Sequence, residues 1–189
     1  MERERMKSIT RMFWILAAAF WLAGCASPAA SSPAAVVATI ASPAWVSTTL
    51  TDAVTAKPFR LKDEAGRVVL VEDMATWCPN CLQQQRQVVA LHRALGESSG
   101  LVSVGLDVDP HEDQALLKSY VQKEGFTWTY AIAPSFVGHD LGQLYGDQFL
   151  NPSATPMLVI DRQGQVHPLP FGIKSADTLQ KDLQPYLNG

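Results

Sequence analysis

Two cysteines two residues apart, in Trp77-Cys78-Pro79-Asn80-Cys81, sit between a β-branched run, Val68-Val69-Leu70-Val71, and a segment with apolar residues at helical spacing. That junction demands a fold in which a strand buried on both faces runs directly into a helix N-terminus. The helical spacing runs through Leu82, Val88, Val89, Leu91 and Leu95, which predicts a helix over 79–95. Pro79 at its first position is already set for helical φ, and Gly96 suits its end. A cysteine at such a start has its chemistry changed. The helix dipole and the free N–H groups of Asn80 and Cys81 stabilise a Cys78 thiolate, lower its pKa and make it the attacking nucleophile.

Other chemistries use the same spacing. Structural zinc needs four ligands, and the sequence offers neither a second cysteine pair nor two histidines three to five residues apart. His92, His111, His139 and His167 are isolated and are expected as surface histidines. Covalent haem needs a histidine directly after the second cysteine, and position 82 is Leu82. A purely structural disulfide remains open, although a two-residue loop restrains little chain entropy.

The chain has 189 residues, 47% apolar and 17% charged, with a net charge of −3. This suits one domain with a real core and argues against global disorder or nucleic acid as the main partner. No apolar run reaches the roughly 18 to 20 residues of a membrane span. Past residue 45 the sequence predicts short strands at 45–50 and 58–61 forming a hairpin, then buried strands at 68–71 and 101–108. Asp109-Pro110-His111-Glu112 looks like an N-cap acid, Pro at N1 and Glu at N3, opening a helix to about Glu124. A strand at 128–132, a helix at 136–145, strands at 157–160 and 165–169, and a helix at 175–187 complete an α/β sandwich with a mixed central sheet.

The first residues do not belong to that pattern. Arg3, Arg5, Lys7 and Arg11 precede an unbroken apolar stretch from Met12 to Ala23. A basic head, a short apolar core and small residues after it form a secretory signal, expected over 1–24, with a short buried helix as the alternative. Leu22-Ala23-Gly24-Cys25 resembles the bacterial lipobox, which implies that Cys25 carries a lipid and anchors the mature chain to a membrane. Removal of the signal leaves 165 residues with 11 basic and 16 acidic side chains, a net charge of −5. Residues 25–44, rich in Ala, Ser and Pro, read as a tether to a domain at 45–189.

The segment Val69-Leu70-Val71-Glu72-Asp73-Met74-Ala75-Thr76-Trp77-Cys78-Pro79-Asn80-Cys81 resembles the active-site segment of the thioredoxin superfamily. Ser153-Ala154-Thr155-Pro156-Met157-Leu158-Val159-Ile160-Asp161 resembles its second signature, a loop with a cis-proline facing the dithiol. The preceding hairpin and the length of chain between Cys81 and Pro156 are similar to the membrane-anchored TlpA/ResA-like branch, with room for an extra helix and strand. The resemblance implies a thiol–disulfide oxidoreductase with Cys78 as nucleophile, Cys81 as resolving thiol and Trp77 as flanking aromatic. It further implies that Thr155 and Pro156 form a cis-peptide wall where a partner's backbone pairs.

No cofactor, metal or nucleic acid is expected. The implied partners are exported proteins with a disulfide or dithiol and a membrane electron-donor thiol–disulfide protein. The implied place is the extracytoplasmic side of a membrane, and the favoured direction is reduction, for example in cytochrome c maturation. An oxidase or isomerase, or a non-catalytic binding lipoprotein, are the alternatives. The branch usually has an acid three residues after the second cysteine and a proline soon after, where this chain has Gln84 and Arg86. Glu72 falls where thioredoxin keeps a buried acid, so it is expected as a proton acceptor for Cys81. The alternative is that Glu72 and Asp73 are both solvated at a strand end. Asp73 should face away from Glu72, and an arginine partner is conceivable without being identifiable in the sequence.

Overall fold

Trp45 and Val46 are both buried, which a strand facing one core could not achieve for adjacent residues, whose side chains point to opposite faces. In the computed structural model, which describes residues 42–96 and 99–189, they occupy a 3₁₀ turn, Ala44–Ser47, and not the expected strand. The expected hairpin is present but short. Strand β1, Leu50–Thr51, pairs antiparallel with β2, Pro58–Phe59, and Leu61 opens a second 3₁₀ turn, Leu61–Glu64. The signal segment, Cys25 and nearly all of the tether lie outside the described residues.

The β-branched run becomes β3, Val68–Met74, buried at every position. Helix α1, Pro79–Leu95, leads to β4, Leu101–Asp107; α2, Gln114–Glu124, then leads to β5, Thr129–Ile132. Helix α3, Ser135–Tyr145, precedes β6, Met157–Ile160, and β7, Val166–Pro168, and α4, Ala176–Leu187, closes the chain. The sheet order is β5-β4-β3-β6-β7. Strands β3, β4 and β5 are parallel, while β6 runs antiparallel to β3 and β7 antiparallel to β6. This is the thioredoxin-like mixed sheet expected from the sequence, with α2 and β5 as the additional helix and strand.

Alternation along β3 divides the core. Val68 and Leu70 pack with Val88 and Leu91 of α1 and with Leu179 and Leu183 of α4. Val69 and Val71 pack on the other face with Trp45, Leu141 of α3 and Phe149. Truncating one of these buried leucines to alanine costs about 2–5 kcal/mol, so both layers are needed to hold β3 in place. Helix α1 ends where Gly96 takes a φ of 74°, a conformation that glycine adopts without a Cβ penalty.

Register then brings the polar residues together. Glu72 of β3 pairs with Gly105 of β4, which pairs in turn with Tyr130 of β5. A Cβ on Gly105 would come within 2.3 Å of the Tyr130 ring. Only glycine lets that ring lie across β4 toward β3.

Helix α2 begins later than the sequence predicts. Its N-cap is Asp113, whose carboxylate accepts the Leu116 N–H at 2.9 Å, and not Asp109. The physical reason is competition: Asp109 and Glu112 are engaged by Trp77 and Thr76, which leaves Asp113 to cap the helix.

Candidate active site

Strand β3 delivers the chain to the dithiol through a tight turn, in which the Cys78 N–H donates to the Ala75 carbonyl at 3.2 Å. Cys78 is the N-cap of α1, with Pro79 following it, and its Sγ accepts the Cys81 N–H at 3.1 Å. The two cysteines are joined as a disulfide, with Cα atoms 5.3 Å apart, so the structure represents the oxidised enzyme form. Cys81 Sγ lies 3.2 Å from the Pro152 carbonyl oxygen. A disulfide sulfur has no proton to donate there, but a Cys81 thiol in this place would. One sulfur therefore faces an N–H, which favours a thiolate, and the other a carbonyl, which favours the protonated thiol. Exposure does not separate the two residues, at 1% and 0%.

Three loops meet around this pair. Trp77 is 58% exposed, and its indole N–H donates to Asp109 at 2.6 Å. The Asn80 amide donates to the Ser153 carbonyl at 2.9 Å, tying α1 to the loop before β6. The Gly172 N–H donates to the Ala154 carbonyl at 2.9 Å, and the exposed Phe171 and Ile173 flank it. Pro156 is buried, and its carbonyl accepts the Asp73 N–H at 3.1 Å. The cis bond implied by the resemblance is not found, since no peptide bond among the described residues is cis. After a 3₁₀ turn, Pro152–Ala154, Thr155 takes a left-handed conformation (φ 46°, ψ 59°). That reversal turns the chain into β6 with a trans bond.

Beneath the dithiol, Glu72 and Asp73 are 4% and 1% exposed, which removes the reading of both as solvated strand-end acids. Burial pushes the Glu72 carboxyl well up, the Lys174 ammonium draws it back, the Asp73 charge pushes it up, and the Gln85 amide favours its charged form. Tyr120 and Tyr130 both donate their hydroxyls to Gln85 Oε1, at 2.8 and 3.2 Å. With that oxygen taken, Gln85 has its amide N–H groups free for the carboxylate. Asp73 does face away from Glu72, into the layer of Leu106 and Ala131, but it meets no arginine. Neither of its carboxylate oxygens has a hydrogen-bond partner among the described residues.

A family model for Redoxin matches residues 28–174. The chain belongs to the Redoxin family. With the Cys78–Cys81 pair at disulfide distance, this redoxin is a thiol–disulfide oxidoreductase of the thioredoxin type. Its fold is similar to that of a thiol:disulfide interchange protein of the thioredoxin family from Chlorobium tepidum TLS. That likeness has a TM-score of 0.62 and 22% identity, over 74% of this chain and 92% of that one. A secreted disulfide oxidoreductase of Mycobacterium tuberculosis, homologous to E. coli DsbE, matches with a TM-score of 0.59 and 16% identity, over 75% of this chain and 98% of that one. No curated protein matches the chain.

The redoxin site also contains residues that the sequence pattern did not single out. Gln84 and Gln85 look like the polar face of a helix, yet both are buried. The Gln84 amide is bonded both ways to the backbone of Lys174, accepting its N–H at 2.7 Å and donating to its carbonyl at 3.2 Å. Lys174 is itself buried, and its ammonium donates to the Gly172 carbonyl at 2.8 Å. The available signal was their place: Gln84 and Gln85 fall at helical spacing between Cys81 and Val88, on the stripe that α1 buries against the sheet.

Proposed function

We propose that this redoxin works outside the cytoplasm, held at a membrane by a lipid on Cys25, and reduces a disulfide in another exported protein. The single observation that carries the thiol–disulfide exchange is the unlike surroundings of the two sulfurs, an N–H at Cys78 and a carbonyl at Cys81, while the reductive direction rests on the resemblance to the TlpA/ResA-like branch. Export and anchoring are supported by the basic head, the apolar stretch and Leu22-Ala23-Gly24-Cys25. A multiply acylated cysteine holds a protein firmly, since each buried methylene contributes about 0.8 kcal/mol. The TlpA/ResA-like branch fits this plan. Its partners would be apocytochromes or metal-site proteins that need a reduced cysteine pair, together with a membrane thiol–disulfide protein that re-reduces the dithiol.

In each turnover the Cys78 thiolate attacks one sulfur of the partner's disulfide. That bond breaks, the departing sulfur leaves as a thiolate that takes up a proton, and Cys78 is joined to the partner in a mixed disulfide. Cys81 then loses its proton and attacks Cys78 Sγ. The partner leaves with its second sulfur reduced, and Cys78–Cys81 is oxidised by the same two electrons. Glu72 is the group suited to take the Cys81 proton, directly or through one water, because burial brings its carboxyl toward the operating pH. Trp77, 58% exposed, is the side chain that meets the partner's chain, while the buried Thr155 and Pro156 shape the turn into β6 from within.

Three experiments test this reading. The Cys25→Ser full chain, expressed in a bacterial host, is expected in the soluble fraction while still reducing insulin at the parent rate. Firm membrane retention would end the anchoring proposal, and absence of insulin reduction in either form would leave a binding module. A Cys78–Cys81 potential near about −270 mV fits a reductant, and one near about −120 mV an oxidant. In stopped-flow kinetics, Glu72→Gln is expected to leave the attack by Cys78 unchanged and slow the resolution step by about 10²-fold. An unchanged resolution rate and pH profile would remove Glu72 from the mechanism.

A further inference from the structure

The loop between β4 and α2 grips the residues that lead into the dithiol. The Thr76 N–H donates to both Glu112 carboxylate oxygens, at 3.1 and 3.0 Å, and the Thr76 hydroxyl donates to Oε1 at 2.7 Å. Asp109 of the same loop holds Trp77 through the indole. The Val108 N–H closes the other end on the Met74 carbonyl at 3.0 Å. Glu112 lies 36 residues from Thr76 in sequence, so this contact joins two separate segments. The first turn of α1 has no acidic residue of its own. Glu112 therefore brings a negative charge from outside the helix to the approach to its N-terminus, where the Cys78 thiolate forms.

Asp107, the last residue of β4, stands behind Glu112. It is fully buried, its Oδ1 accepts the Asp109 N–H at 3.0 Å, and its other oxygen has no partner in the described hydrogen-bond geometry. Burial first, and the adjoining Glu112 carboxylate second, push its carboxyl up to about 9. Asp107 thus adds a buried carboxyl, biased toward its neutral form, beside the carboxylate that accepts the Thr76 hydrogen bonds.

We propose that Glu112 is a positioning residue for the dithiol: bonded to Thr76 on one side and backed by Asp107 on the other, it fixes the Thr76-Trp77-Cys78 approach and sets the charge felt by Cys78 Sγ. Its negative charge opposes the helix dipole, so the thiolate is less stable and more nucleophilic than the dipole alone would make it. The other titratable groups around this approach are Asp109 and His111 on the same loop and Glu72 beneath it on β3. The inference rests on the family's thiol–disulfide chemistry and not on export, Cys25 or Glu72.

The test uses the reduced full chain and three variants: Glu112→Gln, Glu112→Ala and Asp107→Asn. The readouts are the pH midpoint of Cys78 alkylation by iodoacetamide, followed by peptide mass spectrometry, the dithiol potential against glutathione, and kcat/KM for insulin reduction. Glu112→Gln keeps an acceptor for Thr76 and removes the charge. It is expected to move the alkylation midpoint down by about 0.5 pH and to make the potential less negative. Glu112→Ala also removes the grip and is expected to lower kcat/KM about tenfold, as small misplacements of a reacting atom do. Asp107→Asn keeps a neutral side chain of the same shape beside Glu112 and is expected to retain the parent midpoint at neutral pH. If Glu112→Ala does not fold, Glu112→Gln decides alone. A parent-like midpoint and potential in Glu112→Gln, even with a lower Tm, would reduce Glu112 to a fold-stabilising residue and overturn the proposal.

Discussion

Cys81→Ser is expected to stop the redoxin halfway through its reaction, as a mixed disulfide between Cys78 and the partner. The first step needs only a thiolate on Cys78, and the Cys81 N–H that supports it at 3.1 Å belongs to the backbone and survives the substitution. The second step needs a sulfur at position 81, and serine cannot form the disulfide. Insulin reduction should fall by about 10³-fold or more, the scale of losing a reacting nucleophile. Intact mass should rise by one partner chain, and the adduct should disappear with dithiothreitol. Cys78→Ser should lose as much activity with no adduct. An adduct that accumulates in Cys78→Ser in place of Cys81→Ser would exchange the two roles.

The sequence carried most of what is local. Helix α1 was legible from end to end because Pro79, the apolar spacing and Gly96 act within a few residues of the positions they define. Strand β6 and the first four residues of β3 were legible as continuous apolar runs, whereas the buried Glu72 and Asp73 hid the extension of β3 to Met74. Contests between similar residues were not. Asp109 and Asp113 are both competent N-caps, and only the distant demand of Thr76 and Trp77 decides that Asp113 caps α2. The 3₁₀ turn at Trp45 is likewise set by a core that includes residues about a hundred positions away, such as Leu141 and Phe149.

The cysteine pair was legible as chemistry, but its polar support was not. Gln85 is bonded by a tyrosine from α2 and another from β5. That meeting depends on Gly105 lying between Glu72 and Tyr130 in the sheet, a register that appears only once three strands are assembled. The left-handed turn at Thr155 is equally a property of the assembled loop. Thr-Pro before an apolar strand is by itself only a turn signal.

Asp73 contributes to the pH dependence of stability, and its replacement is expected to stabilise the core. Burial alone pushes its carboxyl well above 3.8, so the folded chain holds a proton that the unfolded chain has released over that interval. A carboxyl raised in this way gives its full support below its unfolded pKa and loses it as the pH rises toward the folded value. Glu72 and Asp107 act in the same direction, Glu72 opposed by Lys174 and Gln85. Asp109 acts in the other, because the Trp77 indole holds it below its ordinary value. Stability should therefore peak in mild acid and decline toward pH 9. Asp73→Val suits a central strand and its apolar layer, and should raise stability at pH 8 by about 1–3 kcal/mol, with less gain at pH 4. Asp73→Asn should flatten the decline with little net gain, since an unpaired buried amide still costs about 1–3 kcal/mol. Urea unfolding of both variants and the parent at pH 4 and pH 8 measures these differences. A loss of stability in Asp73→Val at pH 8, or an unchanged decline in Asp73→Asn, would mean that water or another group satisfies the carboxylate and that the pH slope arises elsewhere.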